Sequence, residues 1–194
     1  MYAYLKGRFI DKTPSAVTVD VNGVGFEVHI SLNTYSKIEP LNEGLLFTHL
    51  IIREDAQLLY GFAERTEKEL FLGLISVSGI GAGTARLMLS YMKPEELIKA
   101  IAYSDVKTLE RIKGIGKKTA ERVVLELKDK LGKLNQDLPV ATVSAPAGVR
   151  QDATEALLAL GIQRSQAMQA VEKVLAAEPG IALELLVKKA LKEL

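Results

Sequence analysis

From Tyr2 to Phe62 apolar and polar positions tend to alternate, as in Val17, Val19 and Val21 and again in Phe26, Val28 and Ile30. A period of two places alternate side chains on one face of a strand. The region divides into short segments rich in β-branched and aromatic residues and bounded by turn formers: Tyr2–Ile10, Ala16–Val21, Val24–Ile30, Leu45–Ile52 and Gln57–Phe62. Asn22-Gly23 between two of them is a strong hairpin signal, because both residue types tolerate positive φ. Five strands so close in sequence predict a small barrel, OB-like, with an SH3-like barrel or a meander as the alternative.

After Thr66 the period lengthens to that of a helix. Thr66 and Glu69 have capping-box spacing ahead of an apolar face of Leu70, Phe71, Leu74 and Ile75. A second helix is expected to stop before Pro94, where Pro94-Glu95-Glu96 opens another that buries Leu97, Ile98 and Ile101. Ser104 is the expected N-cap of a short helix carrying Val106, Leu109 and Ile112. A long helix follows, with Ala120, Val123, Val124, Leu127 and Leu131 on one face and Gly132 as its stop. From Asn135 to Arg150 no period persists, and Pro139, Ser144, Pro146 and Gly148 read as a flexible linker. Beyond it, three short helices are expected, the second capped by Ser165 and the third set off by Pro179-Gly180.

One stretch of the helical region occurs twice. Ser78-Gly79-Ile80-Gly81-Ala82-Gly83-Thr84-Ala85-Arg86 and Lys113-Gly114-Ile115-Gly116-Lys117-Lys118-Thr119-Ala120-Glu121 are offset by 35 residues. Each reads as helix, Gly-Ile-Gly turn, helix. Glycine at both ends of the turn permits positive φ and close approach of a ligand to the backbone, while the isoleucine plugs inward. The residues after the turn open a helix, whose unpaired N–H groups at the positive end of the dipole suit an anion. Lys113, Lys117 and Lys118 suit a phosphate there, and the helix-hairpin-helix pattern resembles the backbone-gripping element of many DNA-binding proteins, with a plain tight helix–helix turn as the alternative.

The expected fold is therefore α+β and multidomain. Residues 1–63 form the OB-like five-stranded β-barrel, 64–134 an all-α tandem helix-hairpin-helix domain, 135–150 a flexible linker, and 151–194 a three-helix, UBA-like bundle. Charge sharpens this division: the net charge of +1 hides a net acidic barrel region and a net basic segment over 64–142. Nine cations lie between Lys107 and Lys133 against Glu110, Glu121, Glu126 and Asp129, which puts the positive field on the second hairpin. Lys128, Lys130 and Lys133 read as a solvated helix face. Absence of cysteine excludes disulfide and thiol chemistry. No apolar run reaches membrane-span length and no signal-peptide layout is seen, so a cytoplasmic location without membrane attachment is expected.

Glu54 and Asp55 stand together between Ile52 and Gln57, at the tip of the last hairpin. A solvated turn accounts for them by composition; in a chain that grips phosphates elsewhere, they would instead repel DNA of the wrong shape. Two sequential acids with no third make a poor metal site, and neither a metal nor a cofactor is expected. Gly116-Lys117-Lys118-Thr119 ends like a phosphate-binding loop but has Arg111 where that loop needs glycine. His29 and His49 read as structural strand residues. No nucleophilic lysine or acid in a base-sized pocket is evident, so no catalytic residue is assigned, against the competing class of DNA-lesion enzymes. A general helix-hairpin-helix DNA-binding module is the alternative function, although it leaves the acidic tip and tethered tail unexplained.

Taken with Arg53-Glu54-Asp55-Ala56-Gln57-Leu58-Leu59-Tyr60-Gly61-Phe62, the second hairpin run to Arg122 and the tail segment Leu157-Leu158-Ala159-Leu160-Gly161-Ile162, the chain closely resembles the RuvA family throughout its length. That resemblance implies the Holliday-junction-binding, non-catalytic subunit of an ATP-dependent branch-migration complex, a homotetramer or octamer holding a four-way DNA junction open. It implies DNA contacts at Gly79, Gly81, Gly83, Thr84, Arg86, Gly114, Gly116, Lys117, Lys118, Thr119 and Arg122, and an acidic pin at Glu54 and Asp55. It also implies that the tail docks on a RuvB-like hexameric AAA+ ATPase through Leu157, Leu160, Gly161 and Ile162, with a RuvC-like resolvase as a further partner. The family's first hairpin often continues Pro-Lys after its second glycine, whereas Ala82 and Gly83 stand here. A weaker contact at that hairpin is expected, with a salt slope shallower by roughly one phosphate equivalent.

Overall fold

The structure, a computed structural model, describes residues 2–134 and 145–194, with side chains described for 2–128 and 148–194. Two compact units divide the chain, Met1–Leu138 and Pro139–Leu194.

In the first unit, β1 (Tyr4–Thr13), β2 (Ala16–Val21), β3 (Val24–His29), β4 (Glu43–Ile52) and β5 (Gln57–Phe62) close into a barrel ordered β1-β2-β3-β5-β4. A meander would place β4 beside β3. Instead β3 meets β5 in a parallel contact at His29 and Tyr60, and β4 returns to β1, the Greek-key closure of an OB barrel. Asn22 and Gly23 make the expected turn, both at positive φ, with the Gly23 N–H donating to Asp20 Oδ1 at 2.7 Å. That bond, then the Arg8 guanidinium, holds the Asp20 carboxyl below the usual carboxylate range. Leu5, Phe9, Val17, Val19, Val28, Ile30, Leu46 and Leu59 fill the barrel.

A helix the alternation did not reveal, α1 (Leu32–Ile38), lies between β3 and β4 and adds Ile38 to the barrel core. At seven residues it is too short to display a helical period. Ser31 caps its start, accepting the Thr34 N–H at 3.0 Å, and Lys12 of β1 donates to the carbonyls of Glu39 and Leu41 beyond its end.

The helical part comprises α2 (Arg65–Ile75), α3 (Ala82–Tyr91), α4 (Pro94–Ala102), α5 (Val106–Glu110) and α6 (Lys117–Leu134). Its core is continuous with β5: the Phe71 ring packs against Phe62 at 4.9 Å and Tyr60 at 5.1 Å between centroids. Several expected boundaries differ. The N-cap of α2 is Glu64, and Thr66 lies inside the first turn, so the Thr66–Glu69 capping box does not form. Burial decides this end instead, because Glu67 is drawn fully inside to accept hydroxyls of α1. Asp105, not Ser104, caps α5, its carboxylate accepting the Thr108 N–H at 3.1 Å and hydroxyl at 2.6 Å. Ser104 takes φ +59 in the preceding turn, a left-handed conformation that leaves it outside the cap. Gly132 does not stop α6, since one glycine costs a helix only about 1 kcal/mol relative to alanine.

In the second unit, α7 (Ala145–Ala159), α8 (Arg164–Ala177) and α9 (Leu183–Ala190) surround Ala153, Leu157, Ala167, Ala170, Val171, Val174, Leu186 and Ala190. Ala145–Arg150, expected in the linker, is helical, whereas linker residues 135–144 lie outside the described residues. Gln163 rather than Ser165 is the N-cap of α8, with no side-chain cap bond.

Glu67 is the buried charge on which this architecture can be tested. Ser31 Oγ donates to its Oε1 and Thr34 Oγ1 to its Oε2 at 2.7 Å, while Thr34 Oγ1 accepts the Ala63 N–H at 3.0 Å. Burial pushes the carboxyl above the usual range, against the pull of those hydroxyls. The folded state therefore takes up the proton more readily than the unfolded chain, and this group's contribution to stability falls as pH rises through its folded pKa. Urea unfolding of Glu67→Ala is expected to show a loss of about 2–4 kcal/mol from orphaned hydroxyls and lost volume. Relative to Glu67→Gln, the parent protein should gain stability as pH is lowered from 7 towards the unfolded carboxyl range. An unchanged difference across that window would remove the buried-carboxylate assignment.

Candidate nucleic-acid interface

The two Gly-Ile-Gly turns fold alike. Gly79 has φ +91 and Gly114 φ +89, so each turn opens with a residue in the left-handed region. The N–H groups of Ile80 and Ile115 donate to the carbonyls of Val77 and Ile112, both at 3.0 Å. Both isoleucine side chains are buried in the common core, the plug expected from sequence. Gly81 and Gly116 then begin α3 and α6, accepting the N–H groups of Ala85 and Ala120 at 2.9 Å.

The second glycines differ from expectation. Gly81 lies at φ −86, ψ 168, and Gly116 likewise lacks positive φ, so backbone conformation demands glycine only at Gly79 and Gly114. A Cβ added at Gly81, Gly83 or Gly116 would meet nothing within 4 Å. Nothing inside the chain requires Gly81 or Gly116 to be bare, whereas a surface approaching from outside would. Beside them, the N–H groups of Ala82, Gly83 and Thr84, and of Lys117, Lys118 and Thr119, have no acceptor among the described residues. These donors lie at the positive ends of α3 and α6.

The cations divide between the turns unequally. Lys113, Lys117 and Lys118 are exposed around the second turn and make no ion pair among the described residues, while Thr84 and Thr119 are half-buried. The first turn has no lysine of its own. Arg86 does not supply one, because its guanidinium donates to the Ser15 carbonyl at 3.0 Å, tying α3 to the β1–β2 turn. Arg122 follows a different path: from α6 its Nη1 donates to the Ser78 carbonyl at 3.1 Å, directly before the first turn. It therefore joins the two turns, a link that residue type could not signal because the acceptor is a main-chain oxygen.

Glu54 and Asp55 occupy the tip of the β4–β5 hairpin, closed by the Arg53 N–H donating to the Ala56 carbonyl at 2.8 Å. Both acids are exposed and neither has a cation partner among the described residues. No group of three or more His, Cys, Asp or Glu able to hold a metal occurs among those residues. The two histidines pack on rings, His29 on Tyr60 and His49 on Phe71, and burial lowers the pKa of each, assisted by Arg86 and Lys68 respectively.

Within the second unit the four tail residues separate. Leu157 is fully buried and belongs to the bundle core, which corrects its expected place on a contact surface. Ile162 is half-buried against that core, Gly161 turns the chain at φ +88, and Leu160 is 62 % exposed. Periodicity could not separate Leu157 from Leu160, since the two leucines are three residues apart, one inside the last turn of α7 and the other just past its end.

Comparison with known proteins covers nearly the whole chain. The family model described as RuvA N terminal domain matches residues 1–61, SAM-like Helix-hairpin-helix tandem matches 71–129, and RuvA, C-terminal domain matches 148–194. A relative from Flavobacterium psychrophilum is 47 % identical over 100 % of both chains, and one from Christiangramia forsetii 46 % over 100 % of both. One from Bacteroides fragilis is 42 % identical, again over 100 % of both chains. All three are named Holliday junction branch migration complex subunit RuvA. With its barrel, twin hairpins and helical tail matched in that order, the chain belongs to the RuvA family.

Proposed function

We propose that this protein binds four-way DNA junctions by their backbones and serves as the non-catalytic subunit of a branch-migration complex. The observation that carries the reading is the pair of matching turns, each with outward helix N–H groups and second glycines the chain itself does not need. Such an arrangement suits phosphates, because main-chain donors and lysines grip duplex arms without reading bases. Gly79, Gly81, Gly83 and Thr84 form one grip; Gly114, Gly116, Lys117, Lys118 and Thr119, with Arg122 nearby, form the other. Arg86, engaged with Ser15, acts as a support rather than a contact.

The proposed division of labour gives 64–134 the duplex arms and 1–63 the crossover. There the unpaired carboxylates of Glu54 and Asp55 repel phosphates and keep the strands apart, in a homotetramer or octamer with one tip from each copy. The bundle over 151–194 recruits a RuvB-like hexameric ATPase, which supplies the hydrolysis this subunit does not perform, and a RuvC-like resolvase shares the complex. Leu160 and Gly161 on its surface support an apolar docking site. A cytoplasmic setting fits a protein in which no described helix is long and apolar enough to cross a membrane.

Competition between a four-way junction and a linear duplex of matched arms, followed by gel shift over a salt series, tests the reading. Junction preference that persists as salt rises is the expected result; equal competition at every salt would leave a general backbone-binding module in its place. Replacing both acids, Glu54→Gln with Asp55→Asn, should maintain or strengthen binding while reducing junction preference, since two repulsive charges are removed. A double variant that no longer binds DNA at all would contradict the repulsive role. At the first turn, Gly83→Lys has open space for its side chain and should steepen the logarithmic salt dependence by about one phosphate equivalent. An unaltered slope in that variant would mean that no phosphate passes within reach of position 83.

A further inference from the structure

The two grips differ in a way that family resemblance does not explain: one has three lysines around it, and the other has none. A duplex held by both needs them at a fixed separation, because phosphates occur at fixed intervals along a backbone. Arg122 is the side chain that reaches from one to the other. It stands one residue beyond the second nine-residue motif, 44 residues from Ser78, and its Nη1 donates to the Ser78 carbonyl at 3.1 Å. Its Nε lies 4.0 Å from Glu126 Oε1, an i,i+4 neighbour that biases the side chain along α6. The side chain remains 50 % exposed, leaving donors of the planar guanidinium for a second acceptor.

We propose that Arg122 is a positioning residue for the first hairpin: it fixes the spacing of the two grips and brings to the first the cation its own sequence lacks. The inference rests on the reading of the hairpins as duplex grips. The Ser78 carbonyl precedes Gly79, whose left-handed φ makes the local chain direction sensitive to how its neighbours are held. A donor anchored on α6 holds that carbonyl from outside the turn. A guanidinium can donate to the carbonyl and still face a phosphate, whereas a lysine ammonium would present one compact charge in place of the fork.

Lys118→Gln provides the comparison for Arg122→Gln, since each removes one positive charge from the start of α6. The full-length proteins are compared by amide hydrogen exchange at Ile80, whose N–H is bonded to the Val77 carbonyl within the first turn, without DNA, and by junction affinity over a salt series. Both variants are expected to lower the salt slope by about one phosphate equivalent. Arg122→Gln alone should also speed exchange of the Ile80 amide, by roughly tenfold, and lose roughly tenfold more junction affinity than Lys118→Gln. In Arg122→Lys the slope should return while exchange of the Ile80 amide stays faster than in the parent. If Arg122→Gln and Lys118→Gln match in both exchange and affinity, Arg122 is only another phosphate-facing cation and the inference fails. Failure of the underlying reading looks different: the parent protein would show no salt-dependent junction binding, while exchange of the Ile80 amide would still report on the strut.

Discussion

The arrangement depends on a buried isoleucine held between two glycines, made twice. Burying Ile80 and Ile115 anchors each turn in the shared core, and the left-handed φ of Gly79 and Gly114 lets the chain reverse immediately before the plug. Once the side chain points inward, the main chain of the next residues faces outward, and α3 and α6 begin with unpaired donors on the surface. The grip is thus a consequence of packing. Its polar face is main chain, and its precision derives from the rigidity of the helices behind it.

A second constraint connects that grip to the barrel. Phe71 packs on Phe62 and Tyr60, so α2 continues the hydrophobic core of β5 without a break. Around this apolar joint lie polar ties: Glu67 receives hydroxyls of Ser31 and Thr34, Asn33 Nδ2 donates to the carbonyls of Leu89 and Met92, and Arg86 holds the Ser15 carbonyl. Helix α1 carries three of these residues or their cap, which gives the short insertion between β3 and β4 its importance. It seals the barrel with Ile38 and also meets the end of α3. Polar bonds of this kind specify one orientation between packed elements, because a shifted interface would leave buried donors without acceptors.

Electrostatics over this frame are divided by element. Among the described residues the second turn carries lysines without an ion pair and the β4–β5 tip carboxylates without a cation partner, and the first turn relies on main-chain donors with Arg122 beside it. In the proposed function these are complementary tasks: attraction draws duplex arms onto the helical part, and repulsion keeps phosphates from the crossover.

What the sequence determined by itself was what local chemistry repeats. Strand alternation, the Asn22-Gly23 turn, the doubled Gly-Ile-Gly motif and the inward isoleucines were legible because side-chain period and φ tolerance act over a few residues. Near Thr66 the burial of Glu67 overrides the capping box, at Ser104 the neighbouring Asp105 takes the cap, and at Gly132 a cost of about 1 kcal/mol is too small to end α6. Likewise, α1 was too short to have a period, and nothing local distinguishes the buried Leu157 from the exposed Leu160. Tertiary structure alone decided that barrel order is β1-β2-β3-β5-β4, that Glu67 is internal, and that Arg86 and Arg122 face main-chain carbonyls. In each of these the partner is distant in sequence, and for both arginines it is a peptide oxygen, which every residue possesses and no residue type announces.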